Sequence, residues 1–132
     1  MTQDRPTATE LVAAVREFLE RDVMAATEGR VQFHTRVAVN VLNIVERELT
    51  LGPGLEPGEH ARAAALLGHD GPLDELEREL AAAIRAGQFD DSLDDVRAHV
   101  RATVHEKLLI ANPGYLPDDQ SDGQPDARSP GA

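Results

Sequence analysis

The sequence predicts an all-α fold: a compact bundle of four to five helices with a disordered acidic C-terminal tail. Three observations lead there. Hydrophobic residues make up 41% of the 132, yet aromatics make up only 3% and tryptophan is absent. The core must then be Leu, Val, Ile and Ala, which suits helix-on-helix packing better than a sheet. Apolar residues also recur at intervals of three and four, and no segment alternates with the period of two that a half-buried strand needs. Finally, glycine and proline clusters divide the chain into helix-length pieces.

The first helix is expected within residues 7–28. Thr7 and Glu10 have capping-box spacing after Pro6, and Leu11, Val12, Val15, Phe18, Leu19 and Val23 come next at helical intervals. Gly29 suits the turn that ends it. A second helix runs from about Arg30 to Leu49, and the stretch LGPGLEPGE then reads as a loop. A short third helix is expected over 59–67, stopped by Gly68. Asp70, Gly71 and Pro72 launch a fourth through Ala86, with Leu73, Leu76, Leu80 and Ile84 as its stripe and Gly87 as its close. Ser92 and Asp95 are positioned to cap a fifth, which ends at Asn112-Pro113-Gly114. The expected division is a helical domain over 1–115 and a tail over 116–132, where prolines and aspartates dominate.

Charge and composition narrow the function. The net charge is −11, carried against twelve arginines and one lysine. Such a chain repels phosphate backbones at long range, so nucleic acid is not an expected partner. No apolar run approaches the ~18 residues of a membrane span. The first ten residues lack the apolar region of a signal peptide. Cysteine is absent, which rules out disulfides and thiolate chemistry and fits a cytoplasmic setting.

Polar residues on the second helix are unusually placed. Projected at ~100° per residue, Phe33, Val37, Val41, Ile44, Val45 and Leu49 occupy one half of the wheel, with His34 at its middle. Arg36, Asn40, Asn43 and Arg47 form a narrow strip on the other half. Exposed asparagines are poor helix formers, so this strip is a candidate partner- or ligand-binding ridge. On the first helix Asp22 falls in the apolar stripe, at a height matching His34 in an antiparallel hairpin. On the fifth, Lys107 lies among Val100, Val104 and Leu108, and Glu48 is similarly placed on the second. Asp22, His34 and Lys107 are therefore expected to form a buried polar cluster. Its simplest role is to satisfy the histidine and fix helix register, since an unpaired buried polar group costs ~1–3 kcal/mol.

No familiar catalytic arrangement stands out. Histidines 34, 60, 69, 99 and 105 show no i,i+4 pairing, so no metal is expected. No glycine cluster matches a phosphate-cradling loop. Asp90, Asp91, Asp94 and Asp95 are explained by favourable charge at a helix N-terminus.

Three segments carry a resemblance: QDRPTATELVAAVREFLERDV at 3–23, FHTRVAVNVLNIVEREL at 33–49 and RATVHEKLLIANPGY at 101–115. Together they resemble a family of small bacterial proteins of unknown function. Its members are encoded beside aminoglycoside-phosphotransferase-like kinases and acyl-CoA dehydrogenases. One branch is the small partner protein of the levulinate-pathway kinase that phosphorylates 4-hydroxyacyl-CoA. The matching positions are Asp22, His34, Arg36, Asn40, Arg47, Lys107, Asn112 and Tyr115; the acidic tail departs from the pattern.

The resemblance implies a non-catalytic accessory subunit of such a kinase, with ATP and Mg²⁺ held by the partner and no cofactor in this chain. An acyl-CoA substrate is a possible further contact. Two alternatives stand beside this reading. One is a stand-alone small-molecule binder or enzyme using Asp22, His34 and Lys107; it expects a concave pocket lined by those residues. The other is a structural homodimer, because the second helix is apolar over about half its circumference.

Overall fold

The computed structural model describes residues 4–117, so all of the tail expected at 116–132 except Leu116 and Pro117 lies outside the described residues. The described residues form four helices and no strand. The first, α1, spans 8–26. It is α-helical over Ala8–Phe18, π-helical over Leu19–Val23 and α-helical again over Met24–Ala26. The N-cap half of the expected capping box forms: the Glu10 amide donates to the Thr7 hydroxyl at 3.2 Å, while the Glu10 carboxylate accepts from that hydroxyl, at 3.2 Å.

A tight turn joins α1 to α2. Thr27 and Glu28 are extended, and Gly29 has φ +62°, which glycine reaches without the cost other residues meet. Gln32 fastens the turn by donating to the carbonyls of Met24 (3.1 Å) and Thr27 (3.0 Å). The two helices then run antiparallel. Along their seam Arg16 pairs with Glu46, and Arg16 also holds Glu20 at 2.9 Å.

Helix α2 spans Gly29–Leu67, 39 residues, with Pro53 and Pro57 inside it. This corrects the expectation of a loop at LGPGLEPGE between two shorter helices. Each proline removes one N–H, leaving the carbonyl four residues earlier without its helical donor. Both prolines are exposed, so water can serve those carbonyls. Packing then decides the outcome, because the residues just beyond the prolines are pinned. His60 Nε2 lies 2.8 Å from the Gly71 carbonyl, Arg62 holds Glu106, and Ala63 is fully buried.

Helix α3 (Leu73–Arg85) and helix α4 (Leu93–Ala111) both pack on α2. Gly68 (φ +79°) and Gly87 (φ +80°) make the turns expected of them. Ser92 occupies the N-cap position of α4 but makes no capping hydrogen bond. Buried residues concentrate where the C-terminal half of α2 meets α3 and the start of α4: Ala63, Leu76, Leu80, Ala83, Val96 and His99. The N-terminal half of α2 buries only Thr35 and Val39. Much of the apolar surface is thus left uncovered, including Val41 (52% exposed) and Phe18 (57%).

Because the helix continues through both prolines, replacing them should stabilise the fold. The double variant Pro53→Ala/Pro57→Ala restores two donors and relieves ring clashes. It should raise unfolding free energy by roughly 1 kcal/mol or more in a urea titration. In a loop the same change would cost ~0.4–1 kcal/mol by loosening the unfolded chain, so a loss would contradict helical continuity.

Candidate functional site

The polar strip of α2 is half covered. Arg36 and Asn40 are exposed, whereas Asn43 and Arg47 are partly buried against the end of α4. Arg47 Nε donates to the Ile110 carbonyl at 2.6 Å. A guanidinium at that place satisfies a carbonyl of the last helical turn and suits the negative end of the helix dipole. Asn40, Asn43 and Arg47 then line one side of an open cavity of about 390 Å³, closed on the other side by Ala111, Asn112, Pro113 and Gly114.

Three of the four ridge residues therefore belong to a concave polar site. Arg36 lies one turn before Asn40, outside the lining. The 3₁₀ turn Pro113–Tyr115 comes directly after α4 and leaves Tyr115 74% exposed. Three amides, a guanidinium and an exposed tyrosine present both donors and acceptors. That set suits a carboxylate, a phosphate oxygen or the backbone of a partner. It contains no nucleophile paired with a base.

The expected buried cluster does not form. Asp22 and His34 are both exposed, and no ion pair joins them. Asp22 projects onto the arc of α1 that carries Leu11, Val15 and Phe18, and that arc is itself exposed. His34 sits amid apolar residues that face outward. Its ring meets Phe33 edge-on at 5.4 Å and accepts from Arg30 Nε at 3.4 Å. Lys107 is exposed and shares a cleft with Glu48, Glu59 and Glu106.

Lys107 also borders a groove between α3 and α4. Leu80, Ala81 and Ile84 form one wall, Val100, Thr103 and Val104 the other, with Glu59 and Glu77 between them, around a volume of about 290 Å³. The Glu77 carboxyl group hydrogen-bonds Glu59 and, with burial, pushes Glu59 up to about 7, against the opposing pull of Lys107. Next to it Arg62 grips Glu106 with two bonds of 3.0 and 2.9 Å and approaches His99 Nδ1 at 3.4 Å. Burial and the Arg62 cation hold the buried His99 below the usual imidazole range. This network escaped the sequence reading. Its signal was Arg62, the one charge in Ala61–Leu67, which required an acidic partner on another helix.

Among the described residues no group of three or more potential ligands could hold a metal ion, and no helix is long and apolar enough to cross a membrane. The fold and site define a small all-α domain that offers an open amide-and-guanidinium surface at a helix end. The chain belongs to the family described as Domain of unknown function (DUF6285), whose model matches residues 25–115. That span contains the ridge, Asn112 and Tyr115. No curated protein and no solved structure matches the chain.

The Glu59–Glu77 contact predicts a pH effect. Glu59 rises from an ordinary value of 4.5 to about 7 on folding. A raised folded value favours the folded state fully below 4.5, and that benefit disappears as pH climbs from 4.5 to about 7. Thermal melts of the wild type should fall across that window. Glu59→Gln should flatten the fall, a difference on the order of 1–3 kcal/mol between its ends. An unchanged slope in Glu59→Gln would show that the two carboxyl groups do not share a proton.

Proposed function

We propose that this chain is the non-catalytic accessory subunit of an aminoglycoside-phosphotransferase-like kinase that acts on hydroxyacyl-CoA in the bacterial cytoplasm. ATP and Mg²⁺ chemistry belongs to the partner. The observation that carries the reading is the site at the end of α4. Arg36, one turn before Asn40, and Tyr115, next to Gly114, are both exposed, and Asn40, Asn43, Arg47, Asn112 and Gly114 line the concavity. Exposed Arg and Tyr around a shallow polar centre are the composition of an interface core rather than of a catalytic cleft. Five of the eight positions that carry the sequence resemblance, Arg36, Asn40, Arg47, Asn112 and Tyr115, lie in or beside this one site. Such a subunit would lend donors to the kinase or to the acyl-CoA phosphates, and would leave phosphoryl transfer to the kinase.

A second reading has a specific observation behind it. The apolar groove that ends at Glu59, Glu77 and Lys107 would suit a small amphipathic ligand carrying an amine or hydroxyl group. Ligand-induced shifts in the thermal melt of the isolated protein would favour it.

The test of the first reading is co-expression with the kinase encoded beside it, then an ATP-dependent assay on a hydroxyacyl-CoA with and without this chain. A stable complex whose activity requires the chain is expected. Arg36→Glu should weaken association at least ~10-fold, about 1.4 kcal/mol, while helical circular dichroism and melting temperature stay near wild type. Undiminished association would remove the ridge from the interface.

A further inference from the structure

The groove between α3 and α4 has an apolar end and an ionic end. The two helices are joined by the connection at 86–92. Counted away from it, Ile84, Leu80 and Glu77 follow on α3, while Val100, Val104 and Lys107 follow on α4. Each series extends about 10 Å along its helix. Ile84, Val100 and Val104 are 36, 46 and 49% exposed, so the apolar stretch is open to a ligand from solvent.

The ionic end is short of positive charge. Glu59 of α2 hydrogen-bonds directly to Glu77 of α3, so no cation of the chain stands between the two carboxyl groups. Arg62 acts on Glu59 only from a distance, because its two terminal nitrogens are held by Glu106 at 3.0 and 2.9 Å. Lys107 pulls on Glu59 from α4 without outweighing Glu77. His99, which also borders the groove, is kept below the usual imidazole range and adds no charge at neutral pH. The same end opens into a second hollow of about 250 Å³, where Glu48, Glu56 and Glu106 join Glu59. A shared proton is what the chain itself supplies to two carboxyl groups so placed, and a ligand cation could take its place.

The surroundings select the kind of cation. Among the described residues no set of ligands suits a metal ion, which points to an organic one. The acceptors at this end are the two carboxyl groups and the Thr103 hydroxyl, three partners for the three N–H donors of a primary ammonium group. The apolar walls then run in the direction an attached alkyl chain would take.

We propose that the groove binds a primary alkylammonium ion, its head between Glu59 and Glu77 and its chain along Leu80, Ile84, Val100 and Val104. Binding releases the shared proton to solvent, and no covalent bond forms or breaks. The proposal rests on the reading of this groove as a site for a small amphipathic ligand and is independent of the accessory-subunit reading.

Chemical-shift titrations of the full chain with hexylamine, butylamine and hexanol test it. Hexylamine should bind at least ~5-fold tighter than butylamine, because its extra methylenes bury on the groove walls. It should bind at least ~10-fold tighter than hexanol, which keeps the chain and lacks the charge. Such amines stay protonated through neutral pH, as the lysine side chain does. Hexylamine affinity should therefore rise ~10-fold from about pH 6 to about pH 8, as Glu59, pushed up to about 7, gives up its proton. Glu77→Gln, at an exposed position, should weaken hexylamine binding ~10-fold and flatten that rise. Glu75→Gln, which removes a charge on the other side of α3, should leave the affinity within ~2-fold of wild type. Equal losses in the two variants would reduce the binding to attraction by the net negative charge and overturn the proposal. Hexanol binding as tightly as hexylamine would overturn it while sparing the amphipathic-ligand reading. Binding of none of the three would end both.

Discussion

Every contact of any extent in this protein is made through one helix. Helix α1 lies along the first half of α2, and α3 and α4 lie along the rest, while α3 and α4 are parted by a groove. The structure therefore depends on α2 continuing past Pro53 and Pro57. If the helix broke there, the N-terminal hairpin would lose its rigid link to the well-buried core. What keeps it whole is the pinning of the turn after Pro57. Ala63 carries only a methyl group, which is fully buried, and the Arg62–Glu106 pair ties α2 to α4 where both are partly shielded. An ion pair so placed contributes by its bidentate geometry more than an exposed pair would.

The same arrangement separates the two surfaces of α2. Helix α4 descends antiparallel from His99, beside Arg62, to Ile110, beside Arg47. Its end therefore comes to rest on the polar strip rather than the apolar one. Arg47 is consumed in part by holding that end, and Asn112 is delivered to Asn40 and Asn43 as a result. The polar strip and the exposed residues Val41 and Val45 thus fall on different sides of one rod. A substitution on either side can be read without disturbing the other.

Local signals are largely legible in the sequence. The Thr7 N-cap and the stops at Gly68 and Gly87 rest on backbone chemistry confined to a few residues, and each forms as read. The ridge is legible too, because polar residues on one strip of a helix are a pattern of that helix alone. The failures all require knowledge of what lies across from a segment. Two prolines and three glycines argue for a loop until packing on α3 and α4 outweighs them. Asp22 faces outward because the arc it shares with Leu11, Val15 and Phe18 is left uncovered. His34 points to the core only if an apolar arc is equated with a buried one, whereas the middle of that arc is exposed. Apolar periodicity tells which residues seek cover, not which of them the same chain covers.

The charge distribution bears on how the ridge can act. Asp90, Asp91, Asp94 and Asp95 gather at the start of α4, and Arg47 lies at its end. This order suits the helix macrodipole at both ends. A chain of net charge −11 would be expected to repel an acidic surface or a phosphate group. At physiological ionic strength, however, exposed charges are screened beyond about 8 Å. The acidic start of α4 is nearly the length of a 19-residue helix away, about 28 Å. A group arriving at the Asn40–Asn112 concavity is therefore governed by the local arginines and amides, not by the net charge. That is how so acidic a chain can present a site suited to anions, and why the sign of the whole protein is a poor guide to what its polar concavity at this helix end would accept.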